Sequence, residues 1–274
     1  MRLCRFGEGR LGVVEENTVR DVTDVLDVLP TYRYPFPAGD SLATFLPAIV
    51  DGVGNMMDDG RRVLLSKVRL ETPIANPNKI VGAPVNYRKG GEDDAAIAAS
   101  MSIGLFLKAN SSLVGPADGI TLRMLERQID HEVELAVVIG RKGTNIPRSE
   151  ALGYVGGYAV ALDITPHGKE ERSLRKSPDS YTVVGPWLVT ADEIPDPGHL
   201  DLELSVNGEV RQRGNTNQMI RDVPALIEYA SSFYTLHPGD IFLTGTPGGV
   251  GPIRPGDRLV ATVEKVGTMT VDVR

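Results

Sequence analysis

The sequence predicts an α+β protein rich in β-structure. Three observations lead there. First, 30 glycines and 19 prolines divide the 274-residue chain into many short apolar runs, the texture of strands joined by turns. Second, Asn207-Gly208 separates Leu202–Val206 from Glu209–Arg213, and this dipeptide tolerates the positive φ that a type I′ hairpin needs. Third, the clearest helix, Val223 to Tyr234, stands among strands, with Asp222 as its cap and Pro224 in its first turn.

Taken in order, Leu11–Val14 and Thr18–Val22 pair around Glu15-Glu16-Asn17, and Ser41–Asp51 and Asn55–Ser66 read as helices, the first opened by Asp40 or Ser41. Pro73 to Pro77 marks a boundary, giving a small N-terminal α+β domain (1–72) and a larger domain (73–274). The strands expected in the larger domain are Lys79–Val81, Leu105–Lys108, Gln128–Ile139, Tyr154–Thr165, Trp187–Thr190, Leu202–Val206, Asp240–Thr244 and Arg258–Val263. Residues 88–104 read as a mobile loop or short helix.

Bulk composition narrows the function. The formal net charge of −7 argues against a broad nucleic-acid or anionic-membrane surface. Cys4 is the single cysteine, so no intrachain disulfide forms, which fits a reducing cytoplasm. No apolar run approaches the roughly 18–20 residues that span a bilayer, and Met1 to Val13 lacks the apolar core of a secretory signal.

The chemistry-bearing segment is Asp130-His131-Glu132-Val133-Glu134, leading into Leu135–Gly140. In a strand, residues two apart share a face, so Glu132 and Glu134 project side by side, with Asp130 beside them. His131 points the other way, to packing or solvent. A Glu-x-Glu strand taken alone is more often a solvated face. However, Tyr158 to Ile164 puts Ala159, Ala161 and Asp163 on one face, so Asp163 ends a strand on a surface of small side chains. Capping of the next turn is the alternative role for Asp163. Crowded carboxylates repel each other and resist desolvation, and a cation relieves both. Glu132, Glu134 and Asp163 are thus candidate ligands, and an all-oxygen set selects Mg²⁺, Mn²⁺ or Ca²⁺. Lys176, after the basic stretch that begins at Arg172, is a candidate to offset charge on an enolate or oxyanion. Thr244 to Gly251 is glycine-rich but lacks the ending of a phosphate loop. Its small residues let backbone amides and Thr246 approach a carboxylate. His199 and His237 have no evident role.

In order, these segments resemble the fumarylacetoacetate hydrolase family. The resemblance runs from Asn76-Pro77-Asn78-Lys79-Ile80-Val81-Gly82 to the C-terminus. It takes in Asn86-Tyr87, Phe106-Leu107-Lys108, Leu113-Val114-Gly115-Pro116, the Glu132-x-Glu134 strand, Gly157-Tyr158 to Asp163, Lys176-Ser177-x-Asp179, Gly185 to Thr190, Pro238-Gly239-Asp240 and Thr244 to Gly251. It implies a mixed β-sandwich or β-roll catalytic domain, usually in a homodimer, with Mg²⁺ or Mn²⁺ on Glu132, Glu134 and Asp163. It implies an enzyme that hydrolyses, decarboxylates or isomerises 2-oxo or 1,3-dicarbonyl acids through a metal-stabilised enolate. Lys176 matches the family's active-site lysine, and Tyr87, Lys108, Gln212 and Thr246 are the implied substrate contacts.

Three departures fall near the site. The hydrolytic members carry a water-activating histidine three residues after the Asn-Tyr tyrosine, where this chain has Gly90. Glu92 and Asp93 are candidate bases in its stead, although a lone carboxylate of pKa about 4 is a weak one. Pro178 stands where the family usually has an aromatic residue. Pro166-His167-Gly168 replaces Ala-Arg-Asp, which makes His167 a candidate acid, base or substrate contact, or simply a loop histidine. Gly90 shifts weight from hydrolysis toward decarboxylation or tautomerisation. It also admits the alternative of a catalytically weak protein that binds metal and a 2-oxo acid without turnover.

Overall fold

The structure, a computed structural model, describes residues 1–56, 61–88 and 94–274. It is β-rich. Among the described residues a 12-stranded sheet runs in the order Arg62–Leu64, Thr18–Asp21, Arg10–Glu15, Arg2–Phe6, Thr182–Thr190, Val155–Asp163, Val133–Ile139, Ile241–Leu243, Ile80–Gly82 and Phe106–Lys108, with Leu70–Glu71 and Leu113–Val114 attached off this path. A four-stranded antiparallel sheet (Glu209–Asn215, Asp201–Val206, Arg258–Val263, Gly267–Asp272) and a three-stranded one (Thr165–Pro166, Ile129–His131, Gly251–Pro252) complete the β-structure.

Strand periodicity sorts the core into two layers. Val133, Leu135, Val137 and Ile139 join Tyr158, Val160 and Leu162 on one face, packed with Leu202, Leu204 and Leu259 and with Leu226 and Ile227 of helix Val223–Phe233. The opposite face, Ala136, Val138, Ala159 and Ala161, takes Leu42, Leu46, Ile49 and Val53 from the N-terminal segment. The alanine face is therefore filled along most of its length by N-terminal side chains. It is at the Asp163 end that it meets a cavity.

The N-terminal strands extend the large sheet directly. Arg2–Phe6 pairs with Thr182–Thr190 in the register Leu3↔Leu188. The hairpin at Asn207-Gly208 forms with both residues at positive φ, 53° and 84°. Asp222 caps its helix by accepting from Ala225 N at 3.0 Å, and Asp40 accepts from Ala43 N at 3.2 Å.

Several elements differ from the expectation. The first N-terminal helix is split into Ser41–Thr44 and Leu46–Asn55, because Pro47 has no N–H to continue the ladder. The helix expected over Asn55–Ser66 is not found in the described part of that range, 55–56 and 61–66. Its described part holds strand Arg62–Leu64, paired Val63↔Val19, so tertiary pairing overrides local preference. The Gln128–Ile139 strand breaks into Ile129–His131 and Val133–Ile139, which belong to different sheets with Glu132 at the joint. Asp94–Ser102 forms a helix, while 89–93, which carry Gly90, Glu92 and Asp93, lie outside the described residues. No helix among the described residues is long and apolar enough to cross a membrane.

Candidate active site

Adjacent strands bring the three carboxylates together. Glu134 faces Ala161 across the ladder, Val133 faces Leu162, and Asp163 N donates to Glu132 O at 3.0 Å. Glu132, Glu134 and Asp163 each offer an oxygen within 4.8 Å of the others. They line a cavity of about 530 Å³ together with Tyr87, Phe106, Thr165, Arg172, Arg175, Lys176, Thr246 and the glycines that follow.

Two lysines answer this charge. Lys176 Nζ donates to Asp163 at 2.6 Å and Glu132 at 2.9 Å, and lies 5.2 Å from the Phe106 ring centroid. Lys108 Nζ is fully buried, and donates to Asp163 and, at 2.7 Å, to Tyr181 O. Burial by itself would raise the Asp163 pKa, but Lys108 and Lys176 outweigh it and hold the carboxyl below its usual range. Burial would lower Lys176, yet Asp163, Glu132 and Glu134 override it and raise its pKa. With no cation among the carboxylates, these three charges favour the protonated form of Lys176. Lys108 goes the other way, because burial outweighs its pairing with Asp163. Glu132 is raised by burial against the pull of Lys176. Glu134 is raised well above the ordinary value by burial and then by Asp163 and Glu132.

The loop after strand Ile241–Leu243 supplies neutral donors. Gly245 N donates to Glu134 Oε2 at 2.5 Å. Gly245 sits at φ 93°, and a Cβ there would lie 2.8 Å from Asn86 Cβ, so both conformation and space call for glycine. Asn86 staples this loop by donating to Thr244 O at 2.8 Å and Arg221 O at 2.9 Å. The neighbouring Tyr87 is buried at the cavity wall, and its hydroxyl has no hydrogen-bond partner at good geometry. Burial, then the Glu134 charge, raises its pKa.

Not every expected residue reaches the cavity. Asp130 turns away with its own short strand and accepts from Gln128 at 2.9 Å and pairs with His167 Nε2 at 2.6 Å. It does not project beside the glutamates, because the strand breaks at Glu132. His167 is 58% exposed and is not among the cavity-lining residues. Lys108 lies behind Asp163, so it holds a carboxylate rather than facing the cavity. Gln212 is fully buried beneath Thr246 with its amide saturated: Oε1 accepts from Val133 N (3.1 Å) and His131 Nδ1 (3.0 Å), and Nε2 donates to Thr246 Oγ1 (2.8 Å) and Pro247 O (2.9 Å). The Val133 amide fixes the orientation of Gln212, so His131 must donate from Nδ1. Arg172, Arg175, Phe106 and Thr165 join the site without having been singled out. The basic stretch before Lys176 was the visible signal for the two arginines, but charge alone assigned them no role.

Comparisons with known proteins place the chain in a family. The family model for the fumarylacetoacetate (FAA) hydrolase C-terminal domain matches residues 79–274. The chain is 52% identical over 285 aligned positions to a maleylpyruvate hydrolase of Aquipseudomonas alcaligenes, covering 100% of this chain and 99% of the relative. A crystal structure of maleylpyruvate hydrolase from Sphingobium sp. SYK-6 in complex with manganese(II) and pyruvate is 38% identical with a TM-score of 0.87, covering 100% of this chain and 98% of that one. A 2-hydroxyhepta-2,4-diene-1,7-dioate isomerase structure from Mycobacterium marinum is 32% identical with a TM-score of 0.76, covering 100% and 98%. A mitochondrial oxaloacetate tautomerase of Rattus norvegicus is 38% identical over 216 positions, covering 74% of this chain and 69% of the relative. With the matched region spanning most of its length and a carboxylate-lined cavity at the centre of its large sheet, this chain belongs to the fumarylacetoacetate hydrolase family.

Proposed function

We propose that this enzyme is a divalent-metal-dependent hydrolase of acylpyruvate-type 2-oxo acids, with maleylpyruvate as its leading substrate and maleate and pyruvate as products. The observation that carries the reading is the convergence of Glu132, Glu134 and Asp163 within 4.8 Å on one cavity. The donor set fits a hard cation: all oxygen, largely buried, and in excess over the two lysines beside it. When bound there, Mg²⁺ or Mn²⁺ supplies Lewis-acid polarisation to a chelating 2-oxo acid.

The chain's own residues do the rest. Lys176, whose Nζ reaches both Asp163 and Glu132, is placed to offer positive charge to the pyruvate fragment as its C–C bond breaks. Tyr87, in the cavity wall beside Glu134, is assigned a contact to a substrate oxygen. Thr246 Oγ1 already donates to Val133 O at 2.7 Å and receives from Gln212, so its role toward substrate is to accept or to shape the wall. Lys108 holds Asp163 ionised and in place. Water activation is assigned to Glu92 or Asp93. Similarity to maleylpyruvate hydrolases along the whole chain weighs hydrolysis above the decarboxylation or tautomerisation toward which Gly90 leans.

The test is pyruvate release from maleylpyruvate, followed by a coupled dehydrogenase, with Mn²⁺ and after chelation. Metal-dependent pyruvate release supports the reading. Release that survives exhaustive chelation, or none above background, contradicts it. Keto–enol exchange of oxaloacetate without hydrolysis of any acylpyruvate would replace it with the isomerase reading.

A further inference from the structure

Two arginines line the cavity that holds the carboxylate cluster. Arg172 and Arg175 begin and end a single helical turn that leads into Lys176. Arg175 gives Nη1 to Pro166 O at 2.8 Å. Arg172 is half-buried, yet its side chain makes no ion pair or hydrogen bond with any described residue. Arg172 also lines an adjoining cavity of about 340 Å³, in company with Pro84 and Phe106, which border both spaces. It therefore stands where the two cavities meet. Glu171 borders the second cavity without pairing to it. A half-buried guanidinium that forms no ion pair or hydrogen bond with a described residue favours an anion that brings two oxygens.

We propose that Arg172 binds a second carboxylate, at the far end of a diacid 2-oxo substrate, and so selects diacids over monoacids. This rests on the reading that the 2-oxo acid end sits at the carboxylate cluster. Three of the substrates named for the relatives are consistent with it, whereas the 2,4-didehydro-3-deoxy-L-rhamnonate named for another relative carries a single carboxylate. Maleylpyruvate, 2-hydroxyhepta-2,4-diene-1,7-dioate and oxaloacetate all carry a second carboxylate. The cavity gives such a molecule a cation-binding floor, apolar walls at Val85, Phe106 and Val250, and a guanidinium at the junction with the second cavity. A monoacid leaves that guanidinium unpaired.

The test uses the full-length, Mn²⁺-loaded protein with two matched pairs. Binding of 2-oxoglutarate and 2-oxopentanoate is measured by titration calorimetry, and kcat/KM is measured for maleylpyruvate and acetylpyruvate. The wild type is expected to prefer the diacid in both pairs. Arg172→Gln is expected to lower the diacid-to-monoacid ratio by about tenfold, the size of one lost charge-assisted contact, and Arg172→Lys by less. An unchanged ratio in Arg172→Gln, or equal treatment of the two acids by the wild type, overturns the subsite. Arg172-dependent diacid binding with no turnover of either acylpyruvate keeps the subsite and removes the hydrolase reading. Turnover of both with a ratio indifferent to Arg172 does the reverse. Binding of neither acid overturns both.

Discussion

Glu134 sits under opposing demands. It is buried beside two other carboxylates, accepts the Gly245 amide, and is pushed well above its ordinary pKa of 4.5 by burial and its neighbours. In the metal-free protein this raised folded-state pKa favours the protonated carboxyl. The stabilisation is complete below the unfolded-state pKa and fades as pH climbs through the folded-state value. A divalent ion removes the need for that proton. The gain in Tm on adding Mn²⁺ is therefore expected to grow from about pH 5 to about pH 8 by differential scanning fluorimetry; a gain that shrinks over that range contradicts the assignment. Tyr87 gives a second prediction at this scale. Tyr87→Phe should lower kcat/KM by about 10- to 100-fold, the worth of one hydrogen bond to developing charge, while Mn²⁺ affinity by calorimetry stays close to wild type. Glu134 and Asp163 were legible in the sequence because strand period puts each on the small-residue face of its own strand, while Glu132 was named with them although the strand breaks at it. Lys108 was legible as a site residue but not in its position, since nothing local shows that it lies behind Asp163.

Elements were legible where one residue type enforces a conformation. Asn207-Gly208 and Asp222-Val223-Pro224 formed as read because turn and cap chemistry are local. Glu132 at a joint between two sheets was not, since the break depends on Ile129–His131 finding partners in Thr165–Pro166 and Gly251–Pro252, both distant in sequence. Saturation of the Gln212 amide has the same non-local origin and yields a prediction. Gln212→Ala strands the Val133 amide and the Pro247 carbonyl and should cost about 2–3 kcal/mol by urea unfolding. A neutral substitution would mean that Gln212 faces substrate instead. Cys4 in strand Arg2–Phe6 is fully buried, and burial raises its thiol to about 12. It should resist a thiol reagent at neutral pH in the native protein and react on unfolding; fast native labelling would argue that the first strand frays.

At the scale of the molecule, the two sequence regions share one sheet and both of its core layers. Cys4, Phe6, Val14 and Val19 pack in the layer that holds Leu135 and Val160, and Leu46 and Ile49 cover Ala159 and Ala161. Pro73 to Pro77 reads as a boundary because composition records a change of texture, not which strands pair across it. Removal of residues 1–72 would bare the edge of Thr182–Thr190 and the alanine face. The truncated chain is expected to aggregate or to lose its cooperative unfolding transition, and a soluble, cooperatively folded 73–274 fragment would show that the regions are independent. The central claim is that three acidic side chains from two adjacent strands hold one divalent ion for 2-oxo acid chemistry. An anomalous-difference map of crystals grown with Mn²⁺ and pyruvate tests it most directly. One peak within coordination distance of Glu132, Glu134 and Asp163, with pyruvate oxygens on the same ion, is the expected result. A peak elsewhere, or Lys176 still bridging Asp163 and Glu132 with no metal between the carboxylates, contradicts it.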